Sequence, residues 1–335
     1  MTSIANRPDA GLQSAHDDLL RDVAWGLSRP QKELPPKYFY DRRGSELFDE
    51  ITRLPEYYLT RTERALLDCW SGTLMAALRP AALVELGAGN ADKTRLLLDA
   101  MVYAGSGEVY VPIDVSAEFL DDAAARLRED YPTLGVEPLV GDIVEPLHLG
   151  ADVPRPAIIA FLGSTIGNFD PDGARNLLRN VADAMHPGDS FLLGADLRKN
   201  PAVIEAAYND AQGVTAEFNL NVLRVVNRDL GADFDLARFE HRAFYDRTLH
   251  RIEMHLVSTD DQTVHIPRVG FVRFAGGESI RTEISCKYDR ATLGSMLGAA
   301  GLRIDRWVTD AAQSYALLVA SRREQPASED GGRAE

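Results

Sequence analysis

Residues Ala82-Leu83-Val84-Glu85-Leu86-Gly87-Ala88-Gly89-Asn90 read as a short apolar strand that ends in an acidic residue and runs into Gly-x-Gly. Small residues at that point let the backbone approach a ligand closely. Taken alone, the segment is either an ordinary glycine-rich turn or the phosphate-side loop of a nucleotide site. A dinucleotide loop wants Gly-x-Gly-x-x-Gly, and here the third glycine position holds Asp92.

Outward from this strand, 108–113, 136–140, 157–161 and 190–194 read as four more. Between them 93–103, 117–131 and 172–185 carry apolar residues every three to four positions, and Asp170-Pro171 supplies an N-cap and a first-turn proline for the last. Strands alternating with amphipathic helices predict a parallel sheet built from βαβ units. Ligands of such sheets bind at the carboxyl ends of the strands. The second strand ends in Ile113-Asp114-Val115, where a carboxylate can accept from both hydroxyls of an adenosine ribose. Both nucleotide classes want that acid. The third ends in Val140-Gly141-Asp142, where an acid can take the adenine amine while Ile143 packs on the ring. Three strand ends agreeing in order point to a sulfonium nucleoside, S-adenosylmethionine, over a dinucleotide. Lys93 beside the loop is either a surface charge or a group reaching back over the cofactor carboxylate, and its position favours the second.

After Asp196 the rhythm breaks. Two helical segments, 201–211 and 215–230, lead into alternating runs at 239–245, 251–257, 264–274 and 278–286, which predict antiparallel hairpins with Gly276-Gly277 as one turn. A helix over 291–300, stopped by Gly301, precedes strands at 302–309 and 315–320. A terminal strand pair after a helix completes a methyltransferase-type sheet. The expected layout is discontinuous, with 60–197 and 286–323 forming the sheet domain. Residues 1–59 and 198–285 form a second, α+β domain over its carboxyl edge, and 324–335 a disordered tail.

The chain has 335 residues, 45% of them hydrophobic, which is enough for a real core. No apolar run approaches the roughly 18 residues of a membrane span, and 1–11 lacks a basic stretch followed by an apolar one. Two cysteines, Cys69 and Cys286, stand far apart without metal-ligand spacing, so neither a disulfide framework nor a metal site is expected. A formal charge of −15 without a long Lys/Arg cluster argues against nucleic acid or an anionic membrane as partner. The expectation is a soluble, cytosolic monomer acting on a small molecule.

Four further segments are long and unusual: Pro35-Pro36-Lys37-Tyr38-Phe39-Tyr40-Asp41, Leu54-Pro55-Glu56-Tyr57-Tyr58, Phe161-Leu162-Gly163-Ser164-Thr165-Ile166-Gly167-Asn168 and Thr282-Glu283-Ile284-Ser285-Cys286-Lys287. Together they resemble the histidine-specific N-alpha-methyltransferases of ergothioneine biosynthesis, over residues 18–322. The resemblance implies a Rossmann-like class I methyltransferase sheet with a second, substrate-binding domain. It also implies S-adenosylmethionine as methyl donor, no metal, and trimethylation of the amino nitrogen of L-histidine to hercynine. Carried over by position, Gly87, Lys93, Asp114, Asp142 and Ile143 would hold the cofactor. Tyr57, Asn168 and Tyr208 would hold the amino-acid head, with Tyr57 by the amine and a candidate to pass on its proton. Glu283, Ile284 and Ser285 would form the segment that recognises the imidazole. The sequence departs from the family pattern in its loop, Gly-Ala-Gly-Asn-Ala-Asp where a serine is more usual, and in Leu59, where a proline commonly follows the paired tyrosines.

Read physically, Glu283 and Ser285 lie two apart on a predicted strand, so both point to one face and Ile284 to the other. A neutral imidazole has one N–H donor and one acceptor nitrogen, matched by a carboxylate and a hydroxyl. From residue type alone these two remain equally an exposed polar strand face. Asn168 remains a loop-structuring amide or a binder of carboxylate and amine, Tyr208 core packing or a ligand, and Met254 core or pocket lining. Rival readings are a transferase for a tryptophan derivative, a nicotinamide-dependent oxidoreductase and a non-catalytic ligand sensor.

Overall fold

The computed structural model describes residues 8–89, 91–115, 117–150 and 152–323. The tail expected at 324–335 lies outside the described residues, as does Asn90 of the glycine loop. The chain divides into two compact units, Met1–Arg61 with Lys199–Lys287, and Thr62–Arg198 with Tyr288–Glu335.

The second unit holds an eight-stranded sheet. Its central strand is Ala82–Leu86, paired in parallel with Val109–Asp114 on one side and Ala157–Phe161 on the other. Ser190–Asp196 continues the parallel set beyond Ala157–Phe161. Tyr315–Arg322 and then Leu302–Thr309 close that edge as antiparallel strands. Both Ala82–Leu86 and Ala157–Phe161 are buried throughout. That is why they read as unbroken apolar runs and not as alternating ones: a parallel strand covered by helices on both faces has no solvent side. Asp170 accepts from Gly173 N at 2.7 Å and starts the helix Pro171–Ala184 with Pro171 in its first turn.

One expected strand is different. The run 136–140 is two short pieces, Gly135–Val136 and Leu139–Val140, each paired separately with Val109–Asp114. Pro138 stands between them and has no N–H to give a ladder, so the strand is interrupted where the sequence pattern shows continuity.

In the first unit a four-stranded sheet runs in the order Lys32–Glu33, Ser279–Cys286, Arg251–Ser258, Phe239–Asp246. The run expected as one strand over 264–274 is instead a separate hairpin, Gln262–Ile266 against Gly270–Phe274. Pro267 and Arg268, the latter with φ of 70°, make the turn, and Val269 N donates to Ile266 O at 3.0 Å. The helix Val214–Leu230 carries the core of this unit: Phe218 meets Phe39 with ring centroids 4.6 Å apart, and Phe48 meets Phe218 at 6.0 Å. Its buried Asn221 donates to Phe39 O at 3.2 Å and Asp41 Oδ1 at 2.8 Å. Asp41 in turn caps the helix Arg42–Arg53 by accepting from Gly44 N at 2.9 Å.

Gly44 is where this packing is tightest, since a Cβ there would meet the Phe39 carbonyl oxygen at 1.6 Å and Asn221 Nδ2 at 3.0 Å. Gly44→Ala should therefore cost about 1–3 kcal/mol or more of stability, as overpacking against fixed backbone does. Urea denaturation checks it: a midpoint equal to wild type would mean that the cap region yields freely.

Candidate active site

In the second unit, the strand Ala82–Leu86 delivers the chain into a loop pinned from the neighbouring strand end. Gly87 N and Ala88 N both donate to Ile113 O, at 2.8 and 3.2 Å, and Gly89 N donates to Asp114 Oδ2 at 3.2 Å. Gly87 and Gly89 have φ of 69° and 53°, and a Cβ at either would meet nothing within 4 Å. The loop is thus held in left-handed backbone with open space above it, which suits close approach of a ligand. Asp114 ends its strand beside this opening. Gly141 N donates to Asp114 O at 3.0 Å, which sets the next strand end beside it. Asp142 is exposed and accepts from Val144 N at 3.0 Å, with Ile143 half-buried next to it. Carboxylates are acceptors, and a ribose diol and an amine-bearing base offer the donors that two of them can take.

Lys93 donates to Glu63 at 2.5 Å. Glu63 has no exposed surface and also accepts from Gly163 N and from Tyr315 Oη, both at 2.7 Å. Four parts of the unit meet on this one carboxylate, and it fixes where the Gly163 loop leaves its strand. Glu63 escaped the sequence reading, although the signal existed. In the helix Tyr58–Leu78 it occupies the stripe of Leu59, Leu66, Leu67 and Leu74, where an unmatched charge is costly. Following Gly163, Ser164 adopts φ of 57° and its Oγ accepts from Asp196 N at 2.9 Å, while Tyr288 Oη donates to Ile166 O at 3.1 Å. This anchors the one-turn helix Thr165–Asn168 and leaves the half-buried Asn168 amide without a hydrogen-bond partner among the described residues.

The first unit holds Tyr57, Tyr208, Glu283, Ile284 and Ser285. The register pairs Glu283 with Met254, and Met254 with Ala243; it pairs Ser285 with Ile252, and Ile252 with Tyr245. Directly paired residues share a face. This is the face covered by the helices Pro201–Tyr208 and Val214–Leu230: Asn219 contacts His241 Nδ1 at 2.9 Å, and Thr282 Oγ1 donates to Asn219 Oδ1 at 2.6 Å. Ile284 pairs with Glu253 on the opposite face, so its side chain is not brought together with the other four.

Strict alternation would have sent Glu283 to that opposite face too. Ile280 pairs with Leu256 and Arg281 with His255, but the register shifts before Glu283 meets Met254. Thr282 is the extra residue, a β-bulge that re-aims everything after it. Period-two reading places Glu283 and Ser285 together but cannot see which face they share.

Lys287, beyond the strand end, is buried and donates to Ser285 Oγ at 2.9 Å and Tyr208 Oη at 3.2 Å. The Tyr208 ring lies 6.2 Å from that of Tyr57, edge to face, and Tyr57 packs likewise on Phe48 at 6.2 Å. Glu283 is half-buried and has no hydrogen-bond partner among the described residues. Burial pushes its carboxyl up to about 7 against the opposing charge of Lys287.

A parallel sheet completed by an antiparallel terminal pair, with an acidic residue at each of three strand ends and an open glycine loop, defines a Rossmann-like class I methyltransferase domain. Residues 19–322 match the sequence family described as histidine-specific methyltransferase, SAM-dependent. The chain belongs to that family. It is 47% identical over 312 residues to the histidine N-alpha-methyltransferase of Mycolicibacterium smegmatis, covering 92% of this chain and 96% of that one. It is 45% identical over 323 residues to the Mycobacterium tuberculosis enzyme of the same name, covering 96% and 99%. The L-tryptophan methyltransferase of Psilocybe serbica is 29% identical, over 88% of this chain and 90% of that one. A solved Pyrococcus horikoshii protein, 14% identical, shares the fold over 84% of this chain and all of its own, at a TM-score of 0.50. Among the described residues no helix is long and apolar enough to cross a membrane.

Glu85, next to the loop, is spoken for. Its two oxygens accept from Thr94 Oγ1 at 2.7 Å each, and one also from Tyr110 Oη at 2.5 Å. Burial pushes its carboxyl up to about 7 despite these bonds. Between its ordinary value of 4.5 and 7, the folded protein keeps a proton that the unfolded chain has lost, so this group's contribution to stability falls as pH rises through that window. Glu85→Gln keeps an acceptor without the charge. The variant should gain on wild type from pH 5 to pH 8, read as the difference in Tm at each pH; a constant difference would remove Glu85 as a titrating group.

Proposed function

We propose that this chain transfers methyl groups from S-adenosylmethionine to the α-amino nitrogen of L-histidine until it is trimethylated, giving hercynine, the first step of ergothioneine biosynthesis. The observation that carries the reading is the juxtaposition of Glu283 and Ser285 on one covered strand face, with a carboxylate that has no hydrogen-bond partner among the described residues. A carboxylate for the ring N–H and a hydroxyl for the other nitrogen match an imidazole, and an indole or phenol cannot match the pair. Ile284 serves as the spacer that keeps the two on one face. The tryptophan-directed relative is more distant than the histidine-directed ones, which favours histidine over the alternative of another amino acid.

In this reading Gly87, Lys93, Asp114, Asp142 and Ile143 hold the cofactor, with Asp114 on the ribose hydroxyls and Asp142 with Ile143 on the adenine. Bound S-adenosylmethionine supplies an electrophilic methyl group on a sulfonium. Asn168, whose amide has two donors and an acceptor, takes the carboxylate and amine of the amino acid; Tyr208 donates to the carboxylate. Tyr57 lies by the amine and passes on its proton, directly or through water, because only the neutral amine has a lone pair to offer. The larger contribution is alignment, which converts a bimolecular encounter into an oriented one. The unit Met1–Arg61 with Lys199–Lys287 is then the substrate-binding domain and the other unit the cofactor domain. The same reading makes the protein a cytosolic enzyme that works as a monomer, without a metal ion or nucleic acid.

Mass spectrometry of the purified protein with each common amino acid tests the activity. Histidine should gain three methyl groups, and supplied dimethylhistidine should be converted too. Dimethylhistidine left untouched while histidine is consumed would end the trimethylation reading.

Specificity is tested by kcat/KM for histidine, tryptophan and phenylalanine in two variants. Glu283→Ala leaves a ring N–H unpaired and should cost about 1–3 kcal/mol with histidine, with cofactor affinity nearly unchanged. Asn168→Ala should weaken all amino acids alike, because it removes contacts to the group they share. An equal loss for the three substrates in Glu283→Ala would reduce that residue to general structure.

A further inference from the structure

Lys287 is 1% exposed, and the reaction as proposed gives it no task. A lysine is placed in such a position at a cost that partners must offset. Two of its partners are side chains assigned to the substrate: Ser285 Oγ at 2.9 Å and Tyr208 Oη at 3.2 Å, with the Tyr208 ring centroid at 5.1 Å. The placement follows from the strand, since Lys287 and Ser285 are two apart and share a face, and Lys287 N is fixed to His250 O at 2.8 Å.

An ammonium has three donors and no acceptor. A hydroxyl that accepts from it has used a lone pair and kept its own proton to give away. Accepting from Lys287 thus points the hydroxyl hydrogens of Ser285 and Tyr208 away from the ammonium and favours both as donors. We propose that Lys287 is a positioning residue that sets the hydrogen-bond polarity of the amino-acid site, making Ser285 and Tyr208 donors toward the substrate and leaving Glu283 as the acceptor. This rests on the histidine reading above. It supplies a physical cause for two features of that reading. With Ser285 as donor, the ring nitrogen opposite it is the unprotonated one, and the ring is held as one neutral tautomer and not as imidazolium. The Tyr208 hydroxyl must give its proton to the carboxylate and not accept from the amine.

The charge matters as well as the donors. An ionised Glu283 by itself would favour a charged ring, since an opposite charge nearby stabilises the protonated form. The positive charge of Lys287 favours the ionised form of Glu283, and as a like charge it disfavours a second cation on the ring.

The test has two arms. Steady-state kinetics of Lys287→Met should show the KM for histidine raised about 10- to 100-fold, the range expected when hydrogen bonds at a charged group are lost, with kcat changed much less and S-adenosylhomocysteine affinity unchanged. Lys287→Arg, which keeps donors and charge, should recover most of that loss. A KM within about twofold of wild type in Lys287→Met, or equal losses in KM, kcat and cofactor affinity that Arg does not relieve, overturns the proposal. The second arm needs no variant. With ring-¹⁵N-labelled histidine and S-adenosylhomocysteine bound to the wild type, one ring nitrogen should appear protonated and the other not. Two protonated nitrogens overturn the proposal even if Lys287→Met fails to fold. No bound histidine at all overturns the histidine reading instead, and activity toward a different amino acid separates the two failures.

Discussion

The parity of the strand Ser279–Cys286 is the constraint on which the proposed amino-acid site depends. A strand shows its side chains to alternate faces, so one extra residue exchanges everything that follows. Thr282 is that residue, and it is held by bonds on the covered side: its hydroxyl lies 2.6 Å from Asn219 Oδ1 and 3.1 Å from Met254 O. Asn219 is itself fully buried and reaches His241 and the carbonyl of His255, so the bulge is tied into the helix Val214–Leu230 and not left to the strand. Because of it, Glu283 and Ser285 sit among Met254, Ala243 and Ile252. Without it they would share the side of Glu253, whose carboxyl already pairs with Arg251 and His255.

The unit Thr62–Arg198 with Tyr288–Glu335 meets a related difficulty with carboxylates. Glu63 and Glu85 are both buried in an apolar setting, where an unsatisfied charge is expensive. Glu63 gathers an ammonium, an amide and a phenol. Glu85 has hydroxyl donors alone, and its environment pushes it toward the protonated form. Neither belongs to the proposed ligand contacts. Each holds a loop start: Glu63 the Gly163 turn that leads to Asn168, Glu85 the first turn of the helix Arg95–Ala104 behind the glycine loop, through Thr94.

How much of this was legible in the sequence depends on the range of the interaction. The central strands and the glycine loop could be read because a covered parallel strand is apolar throughout and a left-handed turn needs glycine; both are local facts. The breaks at Pro138 and Pro267 were equally local, and a stricter reading of proline would have found them. The bulge at Thr282 was not legible, since it is decided by a side chain on a helix some sixty residues earlier. Glu63 was half legible, as a charge in an apolar stripe, but its partners come from positions 93, 163 and 315. Lys287 closed the quoted motif in full view. What it does follows only from the distances to Ser285 and Tyr208.

The proposed chemistry makes opposite demands on the two ends of the substrate. At the ring end nothing changes during the reaction, so a fixed polarity serves every turnover, and a rigid strand with a buried cation behind it can supply one. At the amine end each cycle of methyl transfer and proton loss replaces an N–H by a methyl group, and each transfer leaves one positive charge under a growing apolar surface. Hydrogen-bond acceptors aimed at that nitrogen would lose their partner one by one. Aromatic faces do not, because a ring attracts a cation through its quadrupole whether the cation carries hydrogens or methyl groups. Tyr57 lies in such a set, packed edge to face between Phe48 and Tyr208. The proposed division of labour follows from the residue types themselves: polar groups on the strand for the part that must be recognised, and for the amine that must be allowed to change an aromatic ring, Tyr57, in addition to the Asn168 amide.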